Sequence, residues 1–482
     1  MNKDQLGNDI WRACDIMRRD DGTTGIMEYL EELSWLLFLK VFEAIEDRYE
    51  TEAGLRGSQY ERIVGGDYRW SAWTKKDWAG NEIVNFVDGQ LFPYLRALSG
   101  SPEKDTIAII FKELPGNRMK SPYNLRDVIA IIDEINFQNA DDIHTVSHIY
   151  EDLLQRMGSE NRMAGEFYTP RPVVRFMVQA VDPRIGETVY DPACGSAGFL
   201  VESFLHMEEG KNLTIEENEK LQRNAFFGQE KKPLPCLLGM MNMILHEVLT
   251  PNIRRKNTLE DNIRHIPEDQ RHNVVLTNPP FGGKENKQIQ QNFPVQSQAT
   301  ELLFLEHIMK KLKANGRCGM VVPEGTLFRG DAFATVKKEL LEQCNLHCIV
   351  SLPAGAFLPY SGVKTNLIFF NRPGPTKDVW YYEILPPPGR KFTKGNPIQD
   401  EHFADCRAKF KDRAESKQSW ITPVEKITEN GYDLTAKNPN REEDFEHRPP
   451  EELVNDILAK EQQITEILEE VKELLAQNKN EE

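Results

Sequence analysis

The stretch that most constrains this chain is a strand, a small-residue loop and a helix in direct succession. Thr188-Val189-Tyr190 reads as a short apolar strand, and Asp191-Pro192-Ala193-Cys194-Gly195-Ser196-Ala197-Gly198 follows it as a loop. Phe199 to Met207 then has the character of a buried helix. This succession is the repeating unit of a doubly wound sheet, which binds its ligand at that loop. Glycines at 195 and 198 let a ligand approach the backbone closely. The spacing is not Gly-x-Gly-x-x-Gly, and Asp191 at the strand tip would repel phosphate. The loop therefore suits a ligand with an amino group and positive charge.

S-adenosylmethionine, with its ammonium and sulfonium, fits that description. The next strand, Ala225 to Gly228, runs into Gln229-Glu230. A carboxylate at the second strand tip is where a ribose diol is held in such sheets. Taken alone, Glu230 would read as a solvated surface residue. Further strands are expected at 187–191, 224–228, 273–277, 317–322, 346–352 and 365–370, with helical patterns at Leu302 to Leu312 and Phe333 to Leu341 between them. Such alternation implies an α/β fold, a mainly parallel sheet with helices on both faces.

The second informative segment is Asn278-Pro279-Pro280-Phe281, after the apolar Val274-Val275-Leu276. Two prolines after an asparagine fix an extended bend. The bend is expected to turn the Asn278 carboxamide and the Pro279 carbonyl outward as acceptors, with Phe281 as a flat face beside them. Such a set suits a planar amino group, and the exocyclic amine of a flipped nucleobase is the obvious one. The plain alternative is a strand-ending Asn-Pro turn; the glycine loop upstream shifts the balance towards chemistry. Methyl transfer from a sulfonium is a direct displacement that calls for neither a metal nor a covalent enzyme intermediate.

Together these motifs resemble the amino-methyltransferases that act on DNA adenine. A third element, Gly165-Glu166-Phe167-Tyr168-Thr169-Pro170-Arg171-Pro172-Val173-Val174, precedes both, in the order of the gamma group. In that family a Phe-Tyr-Thr-Pro segment closes over the methionine part of the cofactor. Locally it also reads as a helix start, with Thr169 as N-cap and Pro170 at the first position. The resemblance implies that Asn278, Pro279, Pro280 and Phe281 are catalytic. It assigns the cofactor to Tyr168, Thr169, Pro170, Asp191, Ala193, Gly195, Ser196, Gly198, Glu230, Asn257 and Asn278.

Within that group the chain is similar to the modification subunit of type I restriction–modification systems over most of its length. Ile10-Trp11, Leu37-Phe38-Leu39-Lys40 and Tyr68-Arg69-Trp70-Ser71 carry the likeness near the start. Met241-Asn242-Met243-Ile244-Leu245-His246, Val321-Val322-Pro323-Glu324-Gly325, Ser351-Leu352-Pro353 and Thr365-Asn366 carry it further on. Two positions depart from the pattern: Ala197, where glycine is common, and Asn257, where an aspartate often sits. The implied architecture is a Rossmann-like S-adenosylmethionine-dependent methyltransferase domain at 146–435. An all-helical domain at 1–145 would precede it, and a helical docking segment at 436–482 would follow. The implied partners are DNA, a specificity subunit, a second modification subunit and a restriction subunit.

Charge and composition bear on those partners. The net charge is −17 over 482 residues. A chain that grips DNA alone normally offers a basic face, because phosphate contacts dominate nonspecific affinity. DNA is therefore expected to be delivered by a partner. A cytoplasmic protein is expected, since no apolar run approaches the roughly 18 residues of a membrane span and no signal sequence is recognisable. Seven cysteines without paired Cys-x-x-Cys units read as reduced thiols, so zinc is not expected. Trp70, Trp73 and Trp78 beside Lys75 and Lys76 could stack on nucleic acid; core packing is the favoured reading. The polar run Gly282 to Thr300, with Lys284 and Lys287, is long for a loop and is expected to order over DNA. Near the end, Ile457, Ile464 and Val471 repeat every seven residues beside Leu453, Ile467 and Leu474, interrupted by Lys460. Such a seam seeks another helix. Asn-Pro-Pro-aromatic motifs also serve enzymes that methylate protein glutamine or RNA bases, cytosine N4 is a possible acceptor, and a catalytically idle assembly subunit is a further alternative.

Overall fold

The computed structural model describes residues 3–135, 169–358, 361–387 and 389–440, with scattered positions between 454 and 465. The helical N-terminal part opens with α1 (Lys3–Met17) and the 30-residue α2 (Ile26–Leu55). The apolar spacing of Tyr29, Leu30, Leu33, Leu36, Leu37 and Val41 puts all six on the buried side of α2. Glu28 closes its start by accepting the Gly25 amide at 3.0 Å. Five shorter helices follow: α3 (Trp70–Thr74), α4 (Glu82–Phe86), α5 (Phe92–Ala97), α6 (Pro102–Glu113) and α7 (Pro122–Glu134). Ser101 and Ser121 cap α6 and α7, each followed by a proline at the first helical position. Trp70 and Trp73 are fully buried, and the Trp70 ring nitrogen donates to Asp133 at 2.9 Å. They are core, not a nucleic-acid platform.

Among the described residues nine strands form one sheet: β1 (Val189–Asp191), β2 (Phe226–Glu230), β3 (Asn252–Arg255), β4 (His272–Thr277), β5 (Leu312–Pro323), β6 (Asn345–Ser351), β7 (Thr365–Asn371), β8 (Asp378–Glu383) and β9 (Ser419–Pro423). Their order is β3-β2-β1-β4-β5-β7-β6-β8-β9. From β3 to β5 every pairing is parallel. The second half is mixed, because β7 runs antiparallel to both β5 and β6, and β9 to β8. The expectation of a mainly parallel sheet thus holds for the half that carries the glycine loop. β3, β8 and β9 were not expected from sequence.

Around the sheet lie α8 (Arg171–Val181), α9 (Gly198–Glu208), α10 (Ile215–Asn224), α11 (Pro233–Leu245), α12 (Lys287–Gln290), α13 (Thr300–Lys311), α14 (Glu324–Phe328), α15 (Ala332–Gln343), α16 (Ala404–Phe410) and α17 (Val424–Glu429). Part of the polar stretch after Met207 is helix α10. Thr214 and Glu217 make a reciprocal capping box, and Leu221 is its buried anchor. Pro170 is the N-cap of α8, with Arg171 first and Pro172 second, so Thr169 does not cap.

Strand alternation splits the apolar residues between two cores. Val189, Val274 and Leu276 join α8, α9, α11 and the N-terminal helices on one face. Tyr190, Val275 and Met320 join α13 and α15 on the other. In particular α11 packs against both α2 and α6, so the helical part and the sheet share a continuous interior. Residues up to Asn438 cluster as one compact unit, and Pro439–Glu482 as another. Of the seven-residue seam expected in that second unit, Lys460 and Ile464 are helical and exposed; the other positions lie outside the described residues.

Candidate active site

The chain leaves β1 for β2 and β3 on one side and returns through β4 to β5 on the other, so the strand order reverses between β1 and β4. Ligands bind such sheets at the carboxyl ends of the strands flanking that reversal. Asp191 ends β1, Glu230 ends β2, and Thr277 ends β4 just before Asn278. Because these strands are parallel, all four residues lie along one sheet edge. The Val-Val-Pro-Glu-Gly segment follows onto the same edge from β5, and Thr365-Asn366 starts β7 there because β7 runs the other way. The Asn366 amide donates to Glu324 at 2.6 Å.

The glycine loop is held by three hydrogen bonds, two to β2 and one to α11. Cys194 donates its amide to Gln229 at 3.0 Å, and Gly195 donates to the Glu230 carboxylate at 3.1 Å. The Asn242 side chain on α11 donates to the Ser196 carbonyl at 2.9 Å. Close packing needs glycine at two supporting positions: a Cβ on Gly228 would lie 2.9 Å from the Cys194 sulfur, and one on Gly239 of α11 would lie 2.8 Å from the Gly195 carbonyl. Gly195 itself sits at φ 50° and Ala197 at φ 65°. The departure from glycine at 197 is thus accommodated in a left-handed conformation, at a cost of about 1 kcal/mol or more. A Cβ on Gly198 would meet nothing within 4 Å, which leaves room for a ligand at the start of α9.

Asp191 is buried, and its Oδ1 accepts the Ala193 amide at 3.0 Å and the Thr277 hydroxyl at 2.6 Å. Burial pushes its carboxyl up to about 7; the Thr277 and Ala193 donors oppose that, and Glu230 adds to it. Burial also raises Glu230, against the amides of Lys232 and Gly195. Two desolvated carboxyls side by side are costly unless a cation joins them. A ligand bringing an ammonium and a sulfonium answers that need, so these residues fit S-adenosylmethionine. Asn257 caps the short turn Thr258–Glu260 through its carboxamide oxygen, and the Thr258 hydroxyl donates to the Pro192 carbonyl. That places Asn257 beside the loop. Tyr168 lies outside the described residues.

Across the reversal point, the Asn278 amide nitrogen donates to the Thr169 hydroxyl at 2.9 Å. Its carboxamide oxygen is buried and has no hydrogen-bond partner among the described residues. Among the described residues nothing donates to the Pro279 carbonyl, whereas the Pro280 carbonyl accepts from Thr300 at 3.3 Å. Asn278 Oδ1 and the Pro279 carbonyl are therefore the acceptors left for a ligand. Phe281 is half-buried and meets Phe357 edge-on, 6.2 Å between centroids. The polar run after it is folded on its own account: Lys284 pairs with Ala299, α12 forms within it, and Ile289 and Phe293 are buried. Lys284 and Lys287 are exposed. Sequence reasoning missed Thr277, Asn242, Thr300 and Phe357 as parts of the site. The first directly preceded a motif already singled out and Thr300 closed the polar run after it; the other two come from distant segments.

Comparison with known proteins identifies the family. The N-6 DNA Methylase family matches residues 141–448, and the HsdM N-terminal domain family matches residues 6–132. The methylase subunit of the type I restriction enzyme EcoEI from Escherichia coli is 38% identical over 96% of this chain and 96% of its own length. The EcoKI methylase subunit from Escherichia coli K12 is 30% identical over 84% of this chain and 75% of its own. A modification subunit of a putative type I restriction enzyme from Vibrio vulnificus has a solved structure that superposes with a TM-score of 0.87 at 42% identity, over 92% of this chain and 99% of that one. A chain from a type I restriction–modification complex gives 0.77 at 56% identity, over 98% and 99%. With its sheet, its glycine loop and its Asn-Pro-Pro-Phe edge in that setting, this chain belongs to the N-6 DNA methylase family, among the methylase subunits of type I restriction enzymes.

Proposed function

We propose that this chain methylates N6 of an adenine swung out of its DNA helix, using Asn278 and Pro279 as the acceptors for the amine. The observation that carries the reading is the buried Asn278 oxygen, without a partner among the described residues, directly after the strand that pairs with β1. A buried acceptor left unpaired costs about 1–3 kcal/mol, so the site favours a ligand that donates there. S-adenosylmethionine supplies an electrophilic methyl group on sulfur.

The residues of the chain act on the amine. Adenine N6 is a weak nucleophile because its lone pair is delocalised into the ring. Acceptance of its two N–H bonds by Asn278 Oδ1 and the Pro279 carbonyl draws the nitrogen towards tetrahedral geometry and localises the lone pair. The same oxygens stabilise the positive charge that grows on nitrogen, with the logic of an oxyanion hole and the signs reversed. Phe281 supports the ring by stacking, worth roughly 1–3 kcal/mol. Pro280 keeps the bend rigid and Thr300 holds its carbonyl. The extra proton leaves the charged amine after transfer, when it is acidic, so no strong base is needed.

The chain acts as the modification subunit of a type I complex. A separate specificity subunit reads the DNA sequence, a second modification subunit completes the methylating unit, and a restriction subunit joins it. The net charge of −17 supports delivery of DNA by a partner. The cytoplasm, where the DNA of a prokaryotic cell lies, is the expected compartment; no helix among the described residues is long and apolar enough to cross a membrane. The test is co-expression with a neighbouring specificity chain, followed by modified-base sequencing. Recurrent N6-methyladenine at one sequence, lost with Asn278→Ala, is expected. Methylation only of RNA or of protein glutamine would overturn the proposal.

A further inference from the structure

Thr277 makes a contact that binding and chemistry, as described, leave unexplained. It is fully buried, ends β4 and directly precedes Asn278. A hydroxyl has no place at such a position unless it is hydrogen-bonded. Its partner is Asp191 Oδ1, on the neighbouring strand across the reversal point, at 2.6 Å. The Ala193 amide donates to the same oxygen. Among the described residues nothing donates to the other oxygen, Oδ2. Two donors on one oxygen fix the rotation of the carboxyl and leave its second oxygen for a ligand.

We propose that Thr277 is a positioning residue for methyl transfer: it clamps Asp191 so that Oδ2 receives the cofactor's ammonium, and it thereby ties the cofactor seat to the backbone that carries Asn278. The inference rests on the reading of Asp191 as a cofactor ligand. The groups that face Asp191 are few. Glu230 approaches from β2 and opposes a second negative charge, and Tyr190 and Cys194 flank it in sequence. Among the described residues no lysine or arginine acts on it. The Thr277 hydroxyl is thus the principal side-chain contact that favours the carboxylate over the acid. Loss of that hydroxyl should leave Asp191 protonated to higher pH and free to rotate.

The test uses the full chain, S-adenosylmethionine calorimetry across the neutral pH range, and methylation in the presence of the specificity subunit. Thr277→Val keeps shape and strand propensity but removes the donor. It is expected to weaken cofactor binding roughly tenfold, the value of one hydrogen bond to a charged group. It should also move the acidic limb of binding to higher pH, a change that loss of packing alone would not produce. KM for the cofactor should rise more than kcat falls, and Thr277→Ser should restore both affinity and pH profile. In an Asp191→Asn background, Thr277→Val should have little further effect. Wild-type affinity and pH profile in Thr277→Val, or full additivity with Asp191→Asn, would overturn the inference. Wild-type cofactor affinity in Asp191→Asn alone would instead remove the reading of Asp191 on which it rests.

Discussion

Thr169 and Asn278 are 109 residues apart in the chain, yet the Asn278 amide nitrogen donates to the Thr169 hydroxyl at 2.9 Å. That bond sets which end of the carboxamide faces the site. With the nitrogen engaged, the oxygen is the end that remains for an amine. Thr169, from the segment expected to close over the cofactor, is therefore fastened to the Asn-Pro-Pro-Phe bend.

The bond predicts a graded series at position 169. Thr169→Val releases the carboxamide, so that it can turn its NH2 towards an amine that itself needs acceptors. Turnover should fall about tenfold, the value of one such bond. Thr169→Ser should retain most activity. Steady-state methylation of a DNA duplex checks this, and equal rates for the two variants would remove the orienting role.

Asn278→Ala should keep S-adenosylmethionine affinity and lose methylation by roughly 10²–10³-fold, as loss of a preorganised transition-state partner does elsewhere. Calorimetry and the methylation assay together separate the two effects. Full activity in this variant would end the proposed mechanism.

Cofactor binding should depend on pH with a definite sign. The Asp191 carboxyl rises from 3.8 to about 7 through burial, so in the chain alone it holds its proton below about 7. A cationic ligand prefers the carboxylate, so affinity should increase with pH and level off above that value. Binding below it should release a proton, which calorimetry in buffers of different ionisation enthalpy detects. The linked effect on folding runs the opposite way. A carboxyl whose folded pKa is raised contributes stability that is full below its unfolded value and lost as pH rises through the folded one. Glu32 and Glu306, also raised to about 7 by burial, add to that loss. The chain without cofactor should melt at a lower temperature at neutral pH than in mild acid.

Gly239→Ala sets helix propensity against packing. Alanine would favour α11 by about 1 kcal/mol. Its Cβ, however, would sit 2.8 Å from the Gly195 carbonyl, which is backbone and cannot rotate away. Overpacking of that kind costs about 1–3 kcal/mol. The variant should be destabilised and should bind the cofactor more weakly, as read by thermal melting and calorimetry. A rise in melting temperature would show that the loop yields without cost.

Replacement of exposed Lys284 and Lys287 by alanine should weaken activity on DNA and leave cofactor affinity unchanged. The salt dependence of DNA binding should become shallower by about one unit of slope for each phosphate that is no longer neutralised. Unchanged turnover in the double variant would remove this run from the DNA surface.

The parts legible in the sequence were those with local signals. The glycine loop, the six strands around it and the spacing of α2 all follow from patterns a few residues long. β3 escaped because Arg254 and Arg255 are exposed and Ile253 is its buried anchor, which leaves no alternation to read. β8 carries a strong aromatic strand signal in Trp380-Tyr381-Tyr382, but it follows Pro373 and Pro375 and lacks the helix that would mark a parallel unit. In the site, Asp191 and Glu230 were readable because each ends a strand, and Asn278 because it directly follows one. Thr277, Thr300 and Phe357 were not, since their roles arise only when separate segments meet. Thr169 was read as a helix cap by its position before a proline; the cap lies one residue later, and its hydroxyl serves Asn278 instead.

The place of α11 has a mechanical consequence. One side of this helix bears on the Gly195 carbonyl, and it also packs against α2 and α6. The N-terminal helices and the glycine loop thus rest on opposite parts of one helix, with no other element between them. What lets that helix lie so close to the loop is a residue without a side chain, Gly239.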